Sequence, residues 1–174
     1  TFTGSFASGA TVTLNDNSAF NQNDLMFAAG QGTHTQGGAY VAVPMVFKHA
    51  LAWVNFTVKT PTTGCTITVN SITLNSAVFD GTLELTNSQF STTGAVSTAN
   101  IGTQWTCGAP TSMNVPNIGG SDKAKAITLT SEAQLFGNGL LVVPDGYAGS
   151  FTINYTLTQS DNTANTYDYT YNLP

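Results

Sequence analysis

Apolar and polar positions alternate with period two along much of the chain, the spacing that sends successive side chains to opposite faces of a β-strand. Val12 and Leu14 alternate with Thr11 and Thr13; Val54, Phe56 and Val58 with Asn55, Thr57 and Lys59; Ile67 and Val69 with Thr66 and Thr68. Ile72 and Leu74 continue one residue out of phase, which predicts a β-bulge at Asn70-Ser71. Phe151, Ile153, Tyr155 and Leu157 alternate with Thr and Asn, and Tyr167, Tyr169, Tyr171 and Leu173 alternate with Asp168, Thr170 and Asn172. The polar residues 159–165 between these two runs predict a hairpin. Residues 140–143 and 41–47 are all-apolar runs, suited to strands buried on both faces. Helical signal is confined to single turns at residues 48–53 and 131–134. Residues 89–125 are the least patterned and are expected to be loops around one or two short strands.

This pattern predicts an all-β protein, an antiparallel two-sheet β-sandwich of about seven to ten strands. No linker, charge block or tandem repeat divides residues 1–174, so one domain is expected. The expected core is Val54, Phe56, Val58, Ile67, Val69, Ile72, Leu74, Leu141, Val143, Phe151, Ile153, Tyr155 and Leu157.

Composition narrows the setting. Charged residues are 7% of the chain, against roughly 25% in an ordinary soluble domain. Their place is taken by 29 Thr, 16 Asn and 13 Ser, a composition that suits a secreted or surface-displayed β-protein. Four Lys, no Arg and a net charge of −5 exclude a basic nucleic-acid surface or a polybasic lipid contact. The longest apolar stretch, residues 39–47, is too short to cross a membrane as a helix. No signal peptide opens the chain, so Thr1 is expected to be a processed or trimmed terminus.

Candidate chemistry is sparse. His34 lies in a Gly/Thr/Gln-rich stretch without a neighbouring carboxylate, and His49 reads as a packing and hydrogen-bonding residue at a strand end. No nucleophile-elbow motif accompanies them, so no enzyme is expected. Asp16, Asp80, Asp145 and Asp161 stand in turn contexts, which turn chemistry explains better than acid–base work. Asn15-Asp16-Asn17 with Asp24 offers oxygens to calcium but lacks EF-hand spacing, and an Asx-rich turn is the better reading; no metal or cofactor is expected. Asn55 and Asn154 open N-glycosylation patterns inside predicted strands and are assigned nothing. Trp53 falls between core positions and is expected to be partly exposed; with Trp105 it is the candidate platform for a second reading, an extracellular carbohydrate-binding module. Cys65 and Cys107 are the only cysteines. In an oxidising compartment they are expected to pair, a disulfide contributing about 3–4 kcal/mol by loop entropy.

Asp24-Leu25-Met26-Phe27-Ala28, the apolar run 41–47, and the continuation Lys48-His49-Ala50-Leu51-Ala52-Trp53-Val54-Asn55-Phe56 together resemble the fimbrillin family, the pilins and accessory fimbrial proteins of Bacteroides-type anaerobes. Ile72-Thr73-Leu74-Asn75, Leu140-Leu141-Val142-Val143-Pro144 and the two C-terminal alternating runs follow in the family's order. The resemblance implies a transthyretin-like β-sandwich with a structural or adhesive role at the outer-membrane surface. It implies polymerisation by strand complementation after export as a lipoprotein and removal of a segment by proteolysis. The partners it implies are other fimbrial subunits, with a host glycan or protein beyond them. Family members usually carry two such domains and a lipobox Cys; this chain matches the N-terminal domain and has no such Cys. A chain without Arg would survive an arginine-specific maturation protease intact, with Arg expected immediately before Thr1 in the precursor. The candidate strand-pairing segment is the alternating run carrying Tyr167, Tyr169, Tyr171 and Leu173, which bears the single charge Asp168.

Overall fold

β-Branched side chains are stiff about their first torsion and pack well on a pleated surface, and the Thr/Val/Ile alternation accordingly becomes strands. The computed structural model describes residues 2–5, 9–14, 20, 22–28, 36–39, 42–85, 104–118, 122–144 and 149–174. The strands are β1 (Phe2–Ser5), β2 (Gly9–Leu14), β3 (Met26–Phe27), β4 (Lys48–His49), β5 (Ala52–Val54), β6 (Thr57–Val58), β7 (Cys65–Ala77), β8 (Gly81–Leu85), β9 (Trp105–Cys107), β10 (Thr111–Asn114), β11 (Ile127–Thr128), β12 (Gln134–Leu135), β13 (Leu140–Val142), β14 (Ser150–Gln159) and β15 (Ala164–Asn172). A four-stranded sheet runs β1-β2-β8-β9, and a five-stranded sheet runs β10-β7-β14-β15 with β11 also on β7. Three two-stranded ribbons, β3-β4, β5-β13 and β6-β12, accompany them in an all-β fold, and every strand pairing among the described residues is antiparallel.

Two hydrophobic clusters lie among the described residues. Leu14, Leu83, Leu85 and Trp105 of the four-stranded sheet meet Phe27, Ala50, Leu51, Val78 and Val143 in the first. Val69, Ile72, Leu74 and Met113 of the five-stranded sheet meet Phe79, Val115, Phe136 and Leu140 in the second. Around β13 the side chains alternate between them: Leu140 and Val142 pack into the second cluster, Leu141 and Val143 into the first. Val78 and Phe79 divide in the same way, and the Val143 N–H donates to the Val78 carbonyl at 2.9 Å. The apolar run 140–143 packs on both faces because it stands between two cores, with Leu140 and Val143 buried and Leu141 and Val142 half-buried.

The phase slip is a bulge where the sequence places it. Asn154 pairs with Ser71 and Tyr155 with Val69, so Asn70 has no partner in the register with β14. Its side-chain amide instead donates to Asn154 Oδ1 and Thr156 Oγ1, both at 2.9 Å. The same polar face continues through Asn75 to Thr152 (2.9 Å), Thr152 to Thr170 (2.8 Å), Asn154 to Asp168 (2.8 Å) and Thr156 to Thr166 (3.0 Å). β14 and β15 form the predicted hairpin, from Ser150 opposite Asn172 to Thr158 opposite Ala164. In its turn, Asp161 Oδ1 accepts from the Thr163 N–H at 2.9 Å, which holds the Asp161 carboxyl below the usual carboxylate range.

Several expectations are corrected. Residues 42–47 form no strand and are exposed: Pro44 supplies no ladder donor, and the place between the two cores is taken by β13. No helical turn forms at 48–53 or 131–134; strand pairing claims Lys48–His49, Ala52–Val54 and Gln134–Leu135. Of the expected core, Val69, Ile72, Leu74 and Val143 are buried, while Phe151, Ile153, Tyr155 and Leu157 are only half-buried. Cys65 and Cys107 are not joined in a disulfide. Cys65 opens β7 opposite Gln159, whereas Cys107 lies opposite Gly81, four residues past the far end of β7. A strand of 13 residues spans roughly 40 Å, far beyond the ~7 Å Cα separation that a disulfide tolerates.

Ile72→Ala is expected to cost about 2–5 kcal/mol in urea unfolding, because it opens a cavity in a fully buried site. Tyr169→Ala in exposed β15 should stay within about 0.5 kcal/mol. Thiol titration of the unfolded, unreduced protein should count both cysteines as thiols.

Candidate functional site

A cleft of about 650 Å³ opens beside the β5-β13 ribbon. Its apolar lining includes Phe20, Leu51, Trp53 and Leu141; its polar groups come from Gln22, Asp24, His49 and Asn138. Trp53 is the middle residue of β5 and lies directly opposite Leu141 of β13. Leu141 turns into the first cluster, while Trp53 is 62% exposed. The Trp53 Nε1–H donates to the Asn138 carbonyl at 3.0 Å, which holds the indole by its polar edge and leaves most of its area to solvent.

Gly139 permits that seat. Its φ is +72°, and a Cβ there would strike the indole nitrogen of Trp53, Asn55 Oδ1 and the Val54 carbonyl. On the opposite side of β13, Gln22 imitates a strand. Its Oε1 accepts the Leu141 N–H at 2.7 Å, and its Nε2 donates to the Leu141 carbonyl at 2.8 Å. Met26 pairs with His49, and the Ala50 N–H donates to the Leu25 carbonyl at 2.8 Å, so the ribbon β3-β4 carries Asp24 to His49. His49 Nδ1 and Asp24 Oδ2 are 2.7 Å apart. The cleft thus combines an aromatic plane and a carboxylate–imidazole pair.

An oriented imidazole–carboxylate pair is half of the arrangement that activates a hydroxyl nucleophile. Among the described residues lining the cleft there is no Ser, Thr or Cys to be activated. No group of three or more His, Cys, Asp or Glu that could hold a metal ion occurs among the described residues.

The other sequence candidates fall elsewhere. Trp105 is buried in the first cluster and offers no platform. His34 and Asn15-Asp16-Asn17 lie outside the described residues. Tyr167, Tyr169 and Tyr171 stand on β15 and Leu173 just beyond it, all four exposed. β15 pairs with β14 and, among the described residues, with no other strand, so it forms an edge of the five-stranded sheet. Phe151 packs against Tyr171 (ring centroids 5.5 Å) and Tyr155 against Tyr167 (5.6 Å), but nothing among the described elements covers the Tyr faces from outside. The exposure of Trp53 and the strand that carries the three tyrosines are legible in the sequence, but the Asp24–His49 pair is not. The signal was present in the two short apolar-flanked segments that carry them, and only their pairing as strands makes it visible.

A family model described as Fimbrillin-like matches residues 3–173. No curated protein matches the chain, and no solved structure does. No helix among the described residues is long and apolar enough to cross a membrane.

Gly139→Ala is expected to shift the Trp53 emission and to cost at least about 1–2 kcal/mol from the left-handed backbone alone. Steady-state fluorescence with a denaturant titration checks both, buried Trp105 serving as the internal reference.

Proposed function

The chain belongs to the fimbrillin-like family, and on that premise we propose that it is a non-catalytic structural subunit or adhesin domain of a bacterial surface fimbria, joined to its neighbours by strand pairing along β15. Fimbrillin proteins are extracellular surface components of bacterial fimbriae, and their partners are other fimbrial subunits. Within that setting the chain is one domain, a sandwich of the transthyretin type; two larger sheets over two apolar clusters support this reading.

The observation that carries the assembly mode is the state of β15. It is nine residues long, every one of them exposed, and it occupies a sheet edge. An exposed edge presents a row of backbone donors and acceptors to any neighbouring chain, and natural proteins usually blunt such edges with Lys, Pro or a bulge. β15 contains no Lys and no Pro, its ladder with β14 is unbroken over nine pairs, and its one charge, Asp168, is already engaged by Asn154. A strand added there gains main-chain hydrogen bonds for affinity, while Tyr167, Tyr169, Tyr171 and Leu173 supply alternate side chains for pockets on the partner. Apolar area removed from water contributes about 25 cal/mol per Å², so covering three tyrosines is a substantial gain.

Two variants test the reading by electron microscopy of filaments and by sedimentation. Tyr169→Lys should leave a folded monomer and abolish or shorten filaments. Deletion of residues 167–174 should do the same. Filaments unaltered in Tyr169→Lys overturn the role of β15. A chain that no longer folds after the deletion assigns the strand to its own core and moves any polymer to another edge.

A further inference from the structure

We propose that the cleft beside Trp53 is a binding site for a neutral pyranose carbohydrate, with the indole as stacking platform and Asp24, His49 and Asn138 as hydrogen-bonding partners of the sugar hydroxyls. This site is separate from β15 and goes beyond the assembly role. Its elements are β5, β13 and the β3-β4 ribbon, on which Trp53, Leu141 and His49 converge.

Four features of the cleft fit that ligand class. The volume of about 650 Å³ falls within the roughly 300–1,000 Å³ of small-molecule sites. Trp53 is exposed yet fixed: its Nε1–H is spent on the Asn138 carbonyl, so the ring is held in one orientation without a ligand. An aromatic held in this way loses little entropy on binding, which is the advantage of a preorganised platform. A pyranose has an apolar face of axial C–H groups and a rim of hydroxyls, and it matches an aromatic plane bordered by polar groups. Asp24 is an acceptor and His49 presents ring nitrogens; their 2.7 Å contact fixes both, leaving the second carboxylate oxygen and the second imidazole nitrogen for a ligand.

The charge of the site selects among sugars. No Lys lines the cleft among the described residues, and the chain has no Arg; His49 there is already paired with Asp24, so no Lys or Arg among the described lining answers an anionic sugar. Neutral hexopyranoses and N-acetylhexosamines fit; sialylated or sulfated glycans do not. Gly139 completes the design, since any side chain at that position would displace the platform.

The experiment is a titration of the purified full chain with neutral oligosaccharides terminating in glucose, galactose, mannose or N-acetylhexosamine, read by tryptophan fluorescence and by saturation-transfer NMR. A sialylated oligosaccharide and a Lys-rich peptide serve as comparison ligands. At least one neutral oligosaccharide should bind and perturb the Trp53 signal. Trp53→Ala should weaken that binding at least tenfold, and Asp24→Ala severalfold, with the thermal melt of Trp53→Ala unchanged because the side chain is exposed. Filament formation should persist in Trp53→Ala, which separates this site from β15. No binding across the neutral panel, binding undiminished in Trp53→Ala, or capture of the Lys-rich peptide in place of any sugar would each overturn the proposal.

Discussion

The fold depends on a short apolar ribbon that must satisfy two cores at once. Leu140 and Val142 point one way from β13, Leu141 and Val143 the other, and the neighbouring Val78 and Phe79 are divided in the same manner. A strand in this position has no polar face to spare, which is why the sequence there abandons alternation for four consecutive apolar residues. The ribbon also locates the cleft. Trp53 is the one residue of β5 opposite the centre of β13, and it emerges where the first cluster ends. The site is therefore mounted on a strand held from both edges, by β5 on one side and by Gln22 on the other.

Legibility in the sequence follows from how local each cause is. The bulge at Asn70-Ser71 was visible because a phase slip in a period-two pattern is a local event, and the hairpin of β14 and β15 because its turn is bracketed by two alternating runs. The partial exposure of Trp53 followed from its parity between Ala52 and Val54. Partner choice was not legible. Residues 41–47 have the composition of a doubly buried strand, as residues 140–143 do, but only one run can stand between the cores, and Pro44 weakens the first. The two cysteines look like a natural pair in the sequence, but the 13-residue length of β7 separates them, Cys65 opening it and Cys107 lying opposite Gly81 beyond its other end. Asp24 and His49 are 25 residues apart, and only the pairing of β3 with β4 makes them a unit.

β15 shows how a strand can belong to a sheet without belonging to a core. All nine of its pairs with β14 are made, yet none of its residues is buried. The half-burial of Phe151, Ile153, Tyr155 and Leu157 has the same origin, since the apolar filling lies under β7 and thins out toward β15. A monomer that extends a sheet past its own core leaves ordered backbone and aromatic surface where a neighbour can use both.

The polar face formed by β7, β14 and β15 is held by amide and hydroxyl side chains: Asn70 to Asn154 and Thr156, Asn75 to Thr152, Thr152 to Thr170, Thr156 to Thr166. Contacts of this kind carry no net charge, so mobile ions do not screen them, and none of these groups gains or loses a proton between acid and neutral conditions. Each contributes modestly, about 0.5–1.5 kcal/mol, but the contribution persists where an exterior built from lysine–carboxylate pairs would loosen. Only the Asn154–Asp168 rung depends on an ionisable side chain. The sparseness of charge noted in the composition thus gives this face a cohesion that is indifferent to brine and largely to acidity, a useful property for a wall that meets whatever medium surrounds the cell.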